Sequence, residues 1–183
     1  PPIANDDFAT TDEDTSVDIN ILDNDSDTDG NIDPNTITVI DHPKHGTFTI
    51  NNSTGVLSYS PNTNFNGNDT LKYVVCDDGT PLPSQCDTAL VIIIVSSIND
   101  SLIANKDIET IEEGDSISID VINNDLDSDN NIDSTTVTIE SEPKYGKVTV
   151  NDTTGVITYV PNNNFTGIDT FIYKLCDKGL PIY

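Results

Sequence analysis

Asp25, Asp27, Asp29, Asn31 and Asp33 stand at alternate positions of one stretch, so hard oxygen donors can turn to one side while the residues between them face away. Carboxylate and amide oxygens without imidazole or thiolate select a hard divalent cation, calcium foremost, over a transition metal. Asp-x-Asp-x-Asp-Gly shares its spacing with the start of a helix–loop–helix calcium loop. Thr36 occupies the place where such a loop needs a bidentate Glu, however, and no helical pattern flanks it. The stretch is therefore a different kind of oxygen-rich loop.

The loop occurs twice. Asn24-Asp25-Ser26-Asp27-Thr28-Asp29 returns one hundred residues later as Asn124-Asp125-Leu126-Asp127-Ser128-Asp129, followed by Asp133 as the counterpart of Asp33. Pro61-Asn62-Thr63-Asn64-Phe65-Asn66-Gly67-Asn68-Asp69-Thr70 likewise returns as Pro161-Asn162-Asn163-Asn164-Phe165-Thr166-Gly167-Ile168-Asp169-Thr170. A fixed period of this length marks one folding unit used in series, and whatever the carboxylates bind is bound once per unit. The expected boundaries are residues 1–98 and 99–183.

Thirty-two acidic residues against seven lysines, with no arginine, give a net charge of −25. That balance disfavours nucleic acid and anionic membrane surfaces, which require a cationic face. Apolar strands such as residues 88–95 argue against disorder, so the acid must be reconciled with a packed core, and bound divalent cations do so economically. Neither a signal peptide nor an apolar run long enough to span a bilayer is found, and the chain reads as a segment of something longer.

To position these loops the sequence offers hydrophobic periodicity of two throughout. Strands are expected near 8–11, 16–22, 36–40, 47–50, 56–60, 70–75 and 87–95, which together describe an all-β, antiparallel seven-stranded sandwich. The second unit repeats the pattern as far as its sixth strand, and its last strand is expected beyond Tyr183. Cys76 and Cys86 bracket a Gly/Pro-containing loop at a spacing that suits a disulfide between adjacent strands, which in turn implies an oxidising, extracellular setting. Cys176 is the counterpart of Cys76, and its partner is expected past the last residue.

Taken together, Ile3-Ala4-Asn5-Asp6-Asp7, Asp12-Glu13-Asp14-Thr15, the 22–30 loop, Pro43-Lys44-His45-Gly46-Thr47 and Phe65-Asn66-Gly67-Asn68-Asp69-Thr70 resemble the cadherin-like, immunoglobulin-fold tandem repeats of very large bacterial surface proteins. The resemblance implies calcium-binding sandwiches strung into adhesin stalks on the cell surface, including those of attachment and gliding adhesins, and no enzyme. The second unit departs from the pattern at Asn130, where the first has Gly30, and at Glu112-Glu113-Gly114.

Strand order places the turn at 12–15 and residues 61–69 at one end of a sandwich and the acidic loop at the other. Glu13 and Asp69 are thereby expected to approach Asn99, Asp100, Asn105, Asp107, the loop bearing Asp125, Asp127, Asp129 and Asp133, and Asp177, forming a calcium clamp at the joint. The alternative is calcium held wholly inside each loop. The expected partners are neighbouring repeats of the same chain and surface glycans or proteins.

Other chemistry weighs less. His42 and His45 flank a turn and suggest zinc, but Glu142 and Tyr145 replace them in the second unit. No base stands near a Ser or Thr to make a nucleophile. Sequons such as Asn52-Ser53-Thr54 are common by chance in an Asn- and Thr-rich chain. The competing functional reading is a glycan- or protein-binding accessory module of a large secreted protein.

Overall fold

The computed structural model describes residues 1–79 and 82–179, which divide into two compact units, Pro1–Ile98 and Asn99–Tyr183. Among the described residues no helix forms, in keeping with the period-two pattern. In the first unit a short β1 (Pro2–Ile3) precedes β2 (Asp7–Asp12), β3 (Val17–Asn20), β4 (Ser26–Asp27) and β5 (Ile32–Asp41). β6 (Gly46–Asn51), β7 (Val56–Pro61), β8 (Gly67–Asp77) and β9 (Cys86–Ser96) complete it.

One sheet has the order β2-β9-β8-β5 and faces a second of order β3-β7-β6, while β1 pairs with β4. All seven expected strands are present, together with the small β1–β4 ladder. One pairing departs from the antiparallel expectation: β2 runs parallel to β9, from Asp7 opposite Val91 to Asp12 opposite Ser96. The cause is the tight turn after β2. Glu13 N–H donates to the Ser96 carbonyl, tying the turn to the end of β9, and the chain then crosses to the opposite sheet as β3.

The core lies between the sheets. Alternate residues of β8 and β9, namely Leu71, Tyr73 and Val75 with Ala89, Val91, Ile93 and Val95, meet Ile19, Ile21, Ile37, Leu57 and Tyr59, all buried. Burial of side chains of this kind contributes about 1.5–3 kcal/mol each before entropy is set against it.

The second unit repeats the scheme with β10 (Ile117–Ile119), β11 (Ile132–Ser141), β12 (Gly146–Val150), β13 (Ile157–Pro161) and β14 (Ile172–Asp177). Its sheets are β10-β13-β12 and β11-β14, and an isolated bridge between Ile103 and Leu126 stands for the β1–β4 pair. Residues 107–112, the counterpart of β2, belong to no ladder.

Cys76 and Cys86 sit opposite one another on β8 and β9 and form a disulfide, as their spacing suggested. Thr80 and Pro81 of the enclosed loop lie outside the described residues. Cys176 is a free, exposed thiol. By the chain-entropy estimate a loop of this length contributes about 3 kcal/mol. Replacing both Cys76 and Cys86 by Ser should lower the first unit's stability by roughly that amount in a denaturant titration, leaving the second unit's transition in place.

Candidate cation site

The acidic loop of each unit is shaped first by its own aspartates. Asp29 N–H donates to Asp27 Oδ1 at 3.1 Å and Asn35 N–H to Asp33 Oδ1 at 3.0 Å. The second unit repeats both, with Asp129 N–H to Asp127 Oδ1 at 2.9 Å and Thr135 N–H to Asp133 Oδ1 at 3.0 Å. Such side-chain-to-backbone turns explain why Asp recurs at these positions whatever the loop binds. They engage one carboxylate oxygen and leave the other to be accounted for.

Several of those second oxygens are buried with no hydrogen-bond donor: Asp27 Oδ2 in the first unit, and Asp100 Oδ2, Asp125 Oδ2 and Asp127 Oδ2 in the second. The Asp27 side chain is only 1 % exposed. A buried carboxylate oxygen without a donor is costly and calls for a positive partner.

Around them the second unit draws in its own first residues. Asp100 N–H donates to Asp129 Oδ2 at 2.6 Å, Asn99 Nδ2 to Asp177 Oδ1 at 3.4 Å, and Asn131 Nδ2 to Asn99 Oδ1 at 3.1 Å. The structure thus brings Asn99, Asp100, Asp129 and Asp177 together at the end of this unit that carries the acidic loop. Among the described residues no three carboxylates, imidazoles or thiols stand close enough to enclose an ion as they are. A cation there would be completed by carbonyl or amide oxygens, or by rotation of the carboxylates.

Asp25 and Asp125 sit one layer deeper. Asn5 N–H donates to Asp25 Oδ1 at 2.7 Å and Asn105 N–H to Asp125 Oδ1 at 2.6 Å. Burial raises both carboxyl groups above their ordinary range, against the pull of those backbone donors. In the first unit the Tyr73 hydroxyl stands 2.7 Å from the Ile21 carbonyl, 3.1 Å from Asp25 Oδ2 and 3.2 Å from Asp7 Oδ2. One hydroxyl proton cannot serve three acceptors, and burial pushes Asp7 up to about 7. Asp107 is the equivalent partner of Tyr173, at 3.0 Å.

At the opposite end of the first unit Glu13 and Asp69 are buried, and each is committed to the fold. Glu13 Oε1 accepts the Ile98 N–H at 2.7 Å. The Asp69 carboxylate accepts four donors, each at 2.9 Å: the N–H groups of Lys44, His45 and Thr70, and the Tyr59 hydroxyl. Asp169 repeats the set with Lys144, Tyr145, Thr170 and Tyr159. Gly46 permits this arrangement, since a Cβ there would stand 2.5 Å from the Tyr59 ring. Its service is close approach to a ring, in addition to opening β6.

Sequence reading missed these tyrosine–carboxylate pairs, although a signal existed. Asp69 shares the parity of Leu71, Tyr73 and Val75, the core-facing row of β8, and Asp77 continues it. Asp77 accepts the N–H groups of Gly79 and Gln85 at 2.9 and 3.0 Å, bracing the loop closed by the disulfide. The histidines have aromatic work. His45 stacks on Phe65 with centroids 4.4 Å apart, as Tyr145 does on Phe165 at 4.7 Å, and the His42 ring is 5.3 Å from that of Phe48.

Two facing sheets, a β2–β9 parallel edge and an acid-rich loop at one end define the class: a cadherin-like immunoglobulin sandwich used in tandem. The chain belongs to the bacterial Ig domain family, whose model matches residues 1–94 and again 99–180. No curated protein matches it. Among solved structures it is similar to Drosophila N-cadherin EC1–4, at 13 % identity over 96 % of this chain and 44 % of that one, with a TM-score of 0.59. The protocadherin gamma B4 extracellular domain (14 % identity, 94 % of this chain, 31 % of that chain, TM-score 0.53) and protocadherin gamma B2 domains 3–6 (14 %, 97 %, 47 %, 0.51) share the fold. The chain spans less than half the length of each.

Asp69 provides a direct test of the structural assignment. Burial would raise its carboxyl group, but the four donors outweigh burial and hold it below the ordinary range. A group depressed in the folded state contributes stability above its unfolded pKa of about 3.9 and loses it as pH falls through the folded value. Asp69→Asn should lower stability at neutral pH by about 1–3 kcal/mol and shrink the loss on acidification below about pH 4, as measured by denaturant titration across pH.

Proposed function

We propose that this chain is a non-catalytic structural and adhesive repeat of an extracellular bacterial protein, and that each unit holds calcium at the end formed by its acidic loop. One observation carries the reading: Asp27, Asp100, Asp125 and Asp127 each bury a carboxylate oxygen that no donor satisfies. Oxygen-only chemistry fits a hard cation, and a net charge of −25 makes cation uptake favourable.

Asp27, Asp29 and Asp33 are the proposed donors in the first unit, with Asp25 beneath them. In the second unit they are Asn99, Asp100, Asp127, Asp129, Asp133 and Asp177, with Asp107 and Asp125 beneath. Asp69 and Glu13 serve the fold. Asn99 and Asp100 directly follow the end of the first unit, so a cation held by them restricts the torsions of the connecting segment. Calcium would then stiffen the array as well as stabilise its members.

Titration calorimetry and thermal melting in chelator, calcium and magnesium test the reading. The expected dissociation constant is about 10⁻⁴–10⁻³ M, the range of extracellular modules, with a higher melting temperature in millimolar calcium. Asp127→Asn with Asp129→Asn should remove the second unit's share while leaving it folded. Identical melting curves in calcium and chelator would sink the proposal. Small-angle scattering should show a narrower distance distribution in calcium than in chelator if the connecting segment is stiffened.

A further inference from the structure

The acidic loop of the first unit has two flanks, and a different stretch of backbone holds each. Its start lies along β1 and the residues after it: Pro2 and Ile3 pair with Asp27 and Ser26, and Asn5 N–H donates to Asp25 Oδ1. Its end joins β8, where Ile32 stands opposite Asp77 and Asp33 opposite Cys76. Asp78 N–H donates to the Asn31 carbonyl at 2.8 Å, and Asn31 Nδ2 returns a bond to Asp78 Oδ2 at 3.3 Å. The Thr36 hydroxyl closes the same flank, accepting Cys76 N–H at 2.8 Å and donating to the Asp33 carbonyl at 2.6 Å.

The two flanks meet at one covalent bond. Cys86, the first residue of β9, is followed by Asp87, whose Oδ2 accepts Ala4 N–H at 3.0 Å. Further along β9, Leu90 N–H donates to Asp6 Oδ1 at 2.9 Å. β9 thus holds residues 4–6, and through them the strip that carries Asp25 and Asp27, while Cys76 and its neighbours hold the strip that carries Asn31 and Asp33. The Cys76–Cys86 disulfide ties the one holder to the other. A staple at any pair of the β8–β9 ladder would join those two strands, but at this pair it lies beside both anchors of the loop.

Oxygen donors drawn from both ends of one loop bind an ion more tightly when the span between the ends is set beforehand, because the ordering cost is then met before binding. Resting on the calcium reading above, we infer that the Cys76–Cys86 disulfide is a positioning element of the first unit's cation site: it fixes the span between Asp25–Asp27 and Asn31–Asp33, so the oxidised unit binds calcium more tightly than the reduced one. Linkage makes the effect reciprocal, and bound calcium makes the disulfide harder to reduce by the same factor. The reductant is a dithiol. One of its thiolates attacks Sγ of Cys86, which is exposed, breaking the S–S bond and releasing Cys76 as a thiolate that takes up a proton. Its second thiol then displaces Cys86 from the mixed disulfide, so two electrons and two protons pass to the protein and the reductant leaves as a cyclic disulfide.

The test uses the full chain with Cys176→Ser, which leaves Cys76 and Cys86 as its only cysteines, and with Asp127→Asn and Asp129→Asn, so that calorimetry reads the first unit. Calcium affinity is measured on the oxidised chain and after dithiothreitol treatment, while amide hydrogen exchange at 71–75 and 91–95 reports whether the core stays folded. Reduction should weaken calcium binding about tenfold, and saturating calcium should shift the equilibrium with dithiothreitol by the same factor. Asp87→Ala cuts the tie to Ala4 with the disulfide intact. It should weaken binding by the oxidised chain and lessen the further loss on reduction, a pattern that a merely stabilising bond does not give. Loss of core protection on reduction would pass the decision to Asp87→Ala in the oxidised chain, where an unchanged affinity overturns the inference. Equal affinities in the two redox states of a folded chain would overturn it and leave the calcium reading standing, whereas no binding by the oxidised chain would overturn both.

Discussion

Two tyrosine hydroxyls, one near each end, join the facing sheets of a unit, and the remaining architecture is arranged around them. Tyr59 on β7 reaches across to Asp69 on β8, and Tyr73 on β8 reaches back to the carbonyl of Ile21 beyond β3. A buried phenol must find a partner or forfeit a hydrogen bond. Satisfying it across the gap fixes how the sheets lie over each other in a way that non-directional apolar contact cannot. The second unit preserves both ties through Tyr159 with Asp169 and Tyr173 with the Val121 carbonyl.

This arrangement divides the acid of the chain into two populations with different work. Carboxylates on the core-facing rows, Asp69 and Asp77 among them, accept several N–H or O–H donors and behave as structural acceptors. In the acidic loops Asp27 and Asp127 hold their own turns with one oxygen and bury the other without a donor, and Asp125 likewise buries an oxygen that no donor reaches. Only the second population has unused capacity for a cation. A net charge that looks uniform in composition is therefore sharply partitioned in space.

That partition explains what the sequence disclosed and what it withheld. The strands were legible because alternation is a local property, and Cys76 and Cys86 because a short loop leaves few partners. The acidic loop was legible as an oxygen-rich element repeated once per unit. Asp69 was grouped with candidate ligands because carboxylate chemistry is visible in a sequence, whereas the three N–H groups that surround it come from a turn 24 and 25 residues away and from its own neighbour. Its parity with Leu71 and Tyr73 was the available clue. The β2–β9 pairing was hidden for a related reason: parallel partners far apart in the chain leave no turn signature between them.

The parallel edge has a mechanical meaning. β2 leads into the sandwich from the end that carries the acidic loop, and β9 leaves at the other, the two strands side by side for six residue pairs. Tension applied to the two ends of the unit drags these strands in opposite directions along their common ladder. Its hydrogen bonds are then loaded together in shear, whereas an antiparallel edge with both ends at the same pole would open one bond at a time. Resistance to pulling is governed by the unfolding barrier rather than by equilibrium stability, so a unit of modest stability can still bear a sustained load.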